Sequence, residues 1–125
     1  MTEQRRLPRA IVARIQDDKM LAIRAGTAHR FIGIWAVVVE GRVFVRSWSL
    51  KPRSWYRTFL DDPHGAIQVG TRVIPIRAVR TRSEPLKDKV SQGYLEKYHT
   101  PGSLKYARDL ARKKSREATI ELTGV

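Results

Sequence analysis

The sequence predicts a mixed α+β fold, with a small antiparallel barrel or strongly curled sheet and short helices packed outside it. Short apolar or alternating segments follow one another between residues 21 and 82, with turn signals between them. These connections are too short for the crossovers of a parallel sheet. Helical patterns stand before and after this block, and 125 residues suffice for one domain with a real core. We therefore expect a single domain over residues 1–125, in which residues 1–7 form a polar arm.

The first elements are a helix and a strand. Residues 8–19 begin with proline and place Ile11 and Ile15 on one side, which predicts a short amphipathic helix. Residues 21–24 predict a brief strand, and residues 25–30 predict a loop that contains glycine. The chain then enters its most apolar segment.

That segment predicts one strand of a hairpin. Residues 31–39 are nearly all apolar and rich in β-branched side chains, which is typical of a strand buried on both faces. Glu40 and Gly41 predict a tight turn, so residues 31–49 form a β-hairpin. The two-residue period of the return strand gives its side chains two opposite faces. One face holds Val43, Val45 and Ser47, and the other holds Phe44, Arg46 and Trp48.

The hairpin ends at a corner, where the chain passes from a strand into a helix. Proline has no N–H to donate, so residues 49–52 cannot continue a central strand, and Pro52 suits the first turn of a helix. The apolar positions of this helix are Trp55, Tyr56, Phe59 and Leu60. Residues 61–63 close the helix, and Gly65 starts a strand over residues 66–69.

Four more elements complete the chain. Residues 71–82 alternate as a strand, in which Pro75 argues for an edge or a bulge. A helix covers residues 84–98, and Ser103 caps a further helix over residues 103–116. Residues 118–122 predict a last short strand.

The charge of the chain indicates which kinds of partner it favours. Its 25 basic and 12 acidic residues give a formal net charge of +13, and such a field favours polyanions or a small ligand with phosphates. The densest helical cluster consists of Lys105, Arg108, Arg112, Lys113 and Arg116. At this spacing the side chains largely share one helix face, which indicates either a solvated surface or a nucleic-acid contact.

Several classes of protein are excluded. The sequence holds no stretch of about 18 apolar residues, so it predicts no membrane-spanning helix. The basic N-terminus has no apolar segment behind it, which argues against an export signal. With no cysteine, and with His29, His64 and His99 at no ligand spacing, we expect no disulfide and no metal site. Cytoplasm is then the simplest interpretation of where the protein acts.

The strongest constellation lies at the corner after the hairpin, where Arg46, Ser47, Lys51 and Ser54 converge. The start of a helix offers N–H groups and positive charge to an anion. Arg46 can grip two oxygens, Lys51 supplies a mobile charge and the serine hydroxyls donate hydrogen bonds, so a phosphate fits. The alternative is structural, with Ser54 as an ordinary cap and Arg46 as a surface residue over Trp48.

Aromatic side chains surround the same corner. Trp35 and Trp48 lie on opposing strands of the hairpin, and Trp55 and Tyr56 begin the helix. Beside a phosphate grip, such faces indicate a flat cofactor with a phosphorylated tail, or stacked bases. Trp55 also shares a helix face with Phe59, which suits a place in the core. No Ser-His-acid set stands at a suggestive spacing, so catalytic residues are unknown and an enzyme here would depend on a cofactor.

Two segments carry a resemblance to a known family. GIWAVVVEGRVFVRSW and SWYRTFLDDPHGAIQVG, in this order, resemble the bacterial domain of unknown function 2255 family, and the likeness covers the chain from Ile15 onward. The second segment is more remotely similar to split-barrel flavin and deazaflavin oxidoreductases of the pyridoxamine phosphate oxidase type. In those enzymes a helix with a Trp-Tyr start and an Asn-Pro or Asp-Pro end leads into a strand.

The remote resemblance implies a six-stranded split β-barrel of the FMN-binding type, a homodimer, and a cofactor, FMN or deazaflavin, between the subunits. Arg46, Ser47, Lys51 and Ser54 occupy matching places for the phosphate, and Arg30 stands where the deazaflavin enzymes have a basic residue after their glycine loop. From their place in the hairpin, Trp35 and Trp48 are expected to border the ring of such a cofactor. The deazaflavin enzymes carry Gly-Arg-Lys-Ser-Gly where this chain has residues 26–30, which implies that the phosphate clasp is weakened or moved.

The leading hypothesis is a flavin- or deazaflavin-dependent oxidoreductase that passes a hydride to an unknown small organic acceptor. One alternative is a basic nucleic-acid-binding module that uses the helix predicted over residues 103–116. Another is a cofactor-free small-ligand binder on the same barrel, because one fold serves many functions.

Overall fold

A computed structural model of the chain describes residues 6–27, 30–47 and 54–125. Its helices are α1 (Arg9–Asp17), α2 (Trp55–Asp61), α3 (Glu84–Lys97), α4 (Pro101–Leu110) and α5 (Lys113–Glu117). Its strands are β1 (Leu21–Ala25), β2 (Ile32–Ile34), β3 (Ala36–Val39), β4 (Arg42–Arg46), β5 (His64–Val69), β6 (Arg72–Arg80) and β7 (Thr119–Gly124). None of the described helices combines the length and the apolar character needed to cross a membrane.

The seven strands form one antiparallel sheet in the order β2-β1-β5-β6-β7-β4-β3. The two edge strands, β2 and β3, follow each other in the chain with only Trp35 between them. The sheet therefore curls until its edges come together at this residue, which makes a nearly closed barrel. The predicted α+β fold, a small antiparallel barrel with helices outside, is confirmed, but the sheet has seven strands and not the six that the remote resemblance implied.

The β3–β4 hairpin is present as predicted. Val39 pairs with Arg42, and the two residues between them, Glu40 and Gly41, have φ angles of 55° and 73°. Positive φ at both central residues is the mark of a type I′ turn, whose twist matches that of two paired strands. The turn thereby sets the register of the hairpin.

The segment before this turn is split in two, unlike the continuous strand predicted over residues 31–39. Ala36 and Val37 of β3 are buried, whereas Ile32 of β2 is 38% exposed. β3 pairs with β4 and is covered by α1 and α3, but β2 pairs with β1 alone among the described strands. Burial on both faces is therefore correct for β3 and wrong for β2.

Two apolar clusters share β3 and β4. Inside the barrel, Val43 and Val45 join the inward residues of the other strands, with Phe59 of α2. Outside the barrel, Val37 and Phe44 pack against α3 and α4. The alternation predicted for β4 is confirmed, because its valines lie inside and Phe44 lies outside.

The edge predicted at Pro75 is present locally. Pro75 pairs with Ala66 of β5, whereas β7 pairs with β6 only from Ile76 onward. Pro75 therefore has a ladder partner on one side only, which is a position where a strand tolerates a missing N–H.

The helix predicted over residues 103–116 is wrong in two respects. α4 begins at Pro101 with Thr100 as its N-cap residue, and Ser103 is a buried residue of the first turn. α4 ends at Leu110 and a separate helix, α5, begins at Lys113. The earlier start has a physical reason, since the φ angle of proline is already helical and its missing N–H is not needed at the first helical position.

A buried arginine joins the sheet to two helices. Arg46 ends β4 and is 3% exposed. Its guanidinium donates hydrogen bonds to Thr119 Oγ1 (2.8 Å), Ser91 Oγ (2.7 Å), the carbonyl of Lys87 (2.7 Å) and the carbonyl of Leu110 (3.0 Å). These acceptors belong to β7, α3 and α4. One side chain therefore sets how α3 and α4 lie on the barrel.

We expect Arg46→Met to lower the free energy of unfolding by roughly 3 kcal/mol or more, because buried oxygens lose their donors. Urea unfolding followed by circular dichroism measures this change. The control is Arg108→Met at an exposed position of α4, where we expect a change within about 0.5 kcal/mol. Equal losses for the two variants would contradict the structural role of Arg46.

Gly65 lets α2 lie close against the sheet. A β-carbon at this position would collide with the carbonyl oxygen of Arg24 on β1 and would lie 2.7 Å from Phe59 Cε1 on α2. Real side chains do not approach so closely, and the carbonyl belongs to the ladder of the barrel. A residue without a side chain is therefore required here.

We expect Gly65→Ala to destabilise the protein by about 2–3 kcal/mol, because a backbone carbonyl and a packed ring must both move. Gly102→Ala is the matched control, since a β-carbon there has no atom within 4 Å. The measurement is the midpoint of urea unfolding, and equal midpoints for the two variants would refute the packing argument.

Candidate functional site

A cavity of about 300 Å³ opens between β2, the end of β4 and the start of α2. Its walls are largely apolar, and a few polar residues stand among them. The lining residues are Met20, Ile32, Gly33, Ile34, Trp35, Arg46, Ser47, Ser54, Trp55 and Leu110. A concave, mostly apolar site with a few polar groups is typical of a small-molecule pocket.

The cavity brings together four of the seven residues that the sequence predicts for a cofactor site. Trp35, Arg46, Ser47 and Ser54 all line it. Arg30 is exposed and is not among the lining residues. Trp48 and Lys51 lie outside the described residues. The binding roles of all seven stay predictions.

The start of α2 forms one wall. Ser54 is the N-cap residue of α2, and its Oγ accepts a hydrogen bond from the backbone N–H of Arg57 (3.3 Å). The helix therefore begins at Trp55, whereas the prediction placed the first turn at Pro52, which lies outside the described residues. The Trp55 ring packs edge-on against Phe59, with the ring centroids 6.1 Å apart. Trp55 thus joins the core cluster and the cavity wall at the same time.

Trp35 forms the opposite wall and is held from behind. Its ring stacks on Tyr98 of the α3 C-terminus, with centroids 3.9 Å apart and an angle of 2° between the planes. Tyr106 of α4 meets the same ring edge-on at 6.3 Å. Such aromatic contacts fix the orientation of a ring beyond what area burial alone does.

The backbone at this bend is anchored by α3. Tyr94 Oη donates to the carbonyl of Trp35 (2.8 Å) and accepts from the N–H of Arg46 (3.0 Å). Lys97 Nζ donates to the carbonyls of Ala36 (2.7 Å) and Ile15 (2.9 Å). The edges of the barrel therefore meet at a point where the buried Tyr94 and the half-buried Lys97 satisfy the backbone.

The charge of Arg46 is directed into the protein. Burial lowers the pKa of Arg46 to about 10, and burial raises the pKa of Tyr94 beside it. The alternative that Arg46 is a surface residue over Trp48 is wrong, because α3 and α4 cover the guanidinium. The sequence could not show this, since the covering helices lie more than 40 positions further along the chain.

The sequence did not predict the other residues that line the cavity. Met20, Ile32 and Ile34 line the cavity because the chain bends at Trp35. The apolar run around Trp35 does not predict this bend. Leu110 is 64 positions away from Arg46 and arrives through the packing of α4. Glycine in the run Ile32–Ile34 was the one local sign of a close approach, because a β-carbon on Gly33 would lie 3.0 Å from Met20 Cε.

The basic cluster predicted for a nucleic-acid contact is divided between α4 and α5. Arg116 is paired with Glu84 (2.9 Å) and with Asp88 (2.8 Å), and Arg112 Nε lies 3.5 Å from Asp109 Oδ1. Two of the five cations therefore have carboxylate partners, and the single helix face that the prediction required is absent.

The fold and the cavity define a class of small α+β barrel proteins with a ligand-sized pocket at the closure of the barrel. The chain belongs to the bacterial family described as "Uncharacterized protein conserved in bacteria (DUF2255)", whose family model matches residues 12–122. The membership that the two segments predicted is confirmed.

The chain is also similar to a solved structure, the conserved hypothetical protein Rv2991 from Mycobacterium tuberculosis. The TM-score is 0.56 at 14% sequence identity, and the match covers 99% of this chain and 85% of that one. A likeness at this identity shows a shared fold. No curated protein matches the chain.

Lys97 gives the anchored bend a pH dependence. Burial lowers its pKa from 10.5 to about 8, although the carboxylates of Asp18 and Asp17 act in the opposite direction. Between these two values the unfolded chain binds more protons than the folded chain, so stability rises with pH in this window.

We expect the free energy of unfolding to rise between pH 8 and pH 9.5, by at most about 1.4 kcal/mol per pH unit from this group. Lys97→Met removes the titrating group and should remove this rise, whereas Lys105→Met on the exposed face of α4 should keep it. Urea unfolding at a series of pH values measures the slope. A slope that survives Lys97→Met would assign the rise to another group.

Proposed function

We propose that the chain binds a flavin-type nucleotide, FMN or a deazaflavin, with its ring in the cavity between Trp35 and Trp55, and passes a hydride to a small organic acceptor. The observation that carries the proposal is a cavity of about 300 Å³ walled by two tryptophans and aliphatic side chains. Such walls hold a flat heteroaromatic ring by stacking and by burial of its faces. The bound ring supplies the hydride chemistry, and the chain binds and orients it.

The polar edge of the cavity suits the hydrophilic side of such a ligand. Ser54 Oγ accepts one hydrogen bond from Arg57 and keeps its own hydrogen to donate. Arg46 donates to protein oxygens, so in this proposal it positions β4 and Ser47 and leaves the phosphate to other groups. Lys51, three positions before Ser54, is the cation that we propose for the phosphate.

The proposal includes a second copy of the chain over the cavity mouth. Met20 and Ile32 line the cavity and are 49% and 38% exposed. A partner subunit there would bury both side chains and keep water away from the ring. Native mass spectrometry of the purified protein reports the mass of the dimer and of any bound cofactor together.

We expect FMN or a deazaflavin to bind with a rise in melting temperature and a quench of tryptophan fluorescence. Trp55→Leu should weaken binding about tenfold, because one stacking face is lost while the apolar body stays. Leu60→Ala is the matched control, since Leu60 is exposed on the same helix and does not line the cavity. Fluorescence titration of the three proteins gives the dissociation constants.

The outcomes separate the leading proposal from its alternatives. Protein purified without flavin absorbance, which neither cofactor stabilises, would refute the flavin proposal. Binding of uncoloured small molecules that is weakened by Trp55→Leu would then favour a cofactor-free ligand binder. DNA binding that falls steeply with salt would favour the nucleic-acid module.

A further inference from the structure

We propose that the outer face of β1, β5 and β6 binds a phosphate-bearing small molecule through Arg24, His64 and Arg77. A second cavity, of about 310 Å³, opens on this face and contains Arg24 and His64 in its lining, and Arg77 stands beside it as the strand partner of His64. It shares no lining residue with the cavity beside Trp35. The inference therefore goes beyond the flavin proposal and does not depend on it.

The strand register places the three side chains together. His64 of β5 pairs directly with Arg77 of β6, and Arg24 of β1 pairs with Ala66, two positions along β5 from His64. Paired residues share a face of the sheet, and so do residues two apart on one strand. Directly opposed side chains start about 5 Å apart and diagonal ones about 7–8 Å apart, so both arginines are neighbours of His64. Arg24 and Arg77 start two strands apart, about 10 Å across the sheet, and their long side chains can converge on one anion beside His64.

The guanidinium of Arg24 has a hydrogen-bond donor that such an anion would satisfy. Its guanidinium lies over the Phe31 ring, 4.6 Å from the ring centroid. Its Nε is buried and has no hydrogen-bond partner among the residues that the structure describes. A buried donor without a partner costs about 1–3 kcal/mol, and an oxyanion at this position would remove that cost. Neither Arg24 nor Arg77 has a carboxylate within 4.0 Å in the described ranges.

The His64 ring is oriented by its neighbour. Asp62 Oδ1 lies 2.9 Å from His64 Nδ1 and also accepts the backbone N–H of His64 (3.1 Å). These hydrogen bonds hold the pKa of Asp62 below its usual range, so the carboxylate is charged and Nδ1 carries the proton. Nε2 then faces the ligand: it accepts from the P–OH of a phosphate monoanion when the ring is neutral, and it donates to a phosphate dianion when the ring is charged.

The surroundings define the class of ligand. Two arginines against one carboxylate give the face a positive charge that suits a phosphate dianion. The apolar part of the lining, Ala66, Val73 and Pro75, adjoins the cations along the same rows of the sheet. A monophosphate ester with a small apolar body satisfies both halves, whereas inorganic phosphate satisfies the cationic half alone.

The test is a heteronuclear NMR titration of the full chain with inorganic phosphate and with phenyl phosphate, at constant ionic strength. We expect saturable shifts of the Arg24, His64 and Arg77 signals, with tighter binding of phenyl phosphate. Arg24→Gln and Arg77→Gln should each weaken binding about tenfold, because each removes a charge-assisted hydrogen bond.

The control is Arg108→Gln, which removes one exposed charge from α4 and should leave the affinity unchanged. Trp55→Leu should also leave it unchanged, so failure of the flavin proposal and failure of this one give different results. Shifts that do not saturate, or an equal loss of affinity in Arg24→Gln and Arg108→Gln, would overturn the site.

Discussion

The guanidinium of Arg46 is the constraint on which the rest of the structure depends. A charged group is costly to bury unless its donors are satisfied, and here hydroxyls and carbonyls from β7, α3 and α4 satisfy them. The carbonyl of Leu110 belongs to the last turn of α4, where helices lack internal donors. The arginine therefore also caps α4. If the helices left the sheet, the buried charge of Arg46 would lose its hydrogen-bond acceptors.

Closure of the barrel depends on the same helices. Where the chain passes from β2 to β3 at Trp35, backbone carbonyls leave the ladder and need other donors. Tyr94 and Lys97 of α3 supply them, and Tyr98 stacks on the ring of Trp35. The bend keeps β2 away from the cover of α3, so its apolar side chains remain open to the cavity. The pocket is thus a consequence of how the barrel closes.

The local part of this arrangement could be predicted from the sequence. Glu40 and Gly41 signal the turn, and the two-residue period separates Val43 and Val45 from Phe44. Periodicity shows that Arg46 faces away from the barrel interior, but it cannot show what covers that face. The prediction of Arg46 as an anion ligand therefore left out the protein oxygens that accept from its guanidinium, and its binding role stays a prediction. Leu110 entered the cavity through tertiary packing alone, and the break between α4 and α5 left no sign in the amphipathic pattern.

The distribution of charge follows from the same packing. Carboxylates are concentrated where cations support the helices and the barrel wall. On the barrel wall, Glu121 forms an ion pair with Arg42 at 2.6 Å. Lys87 of α3 forms ion pairs with Glu84 and Glu117. With 12 acidic residues for 25 basic ones, the chain has too few carboxylates to pair with every cation. The outer face of β1, β5 and β6 holds Arg24 and Arg77 with one carboxylate, Asp62, and it meets solvent at His64, Val73 and Arg77. This local excess of positive charge is in line with the small anion that we propose for the face.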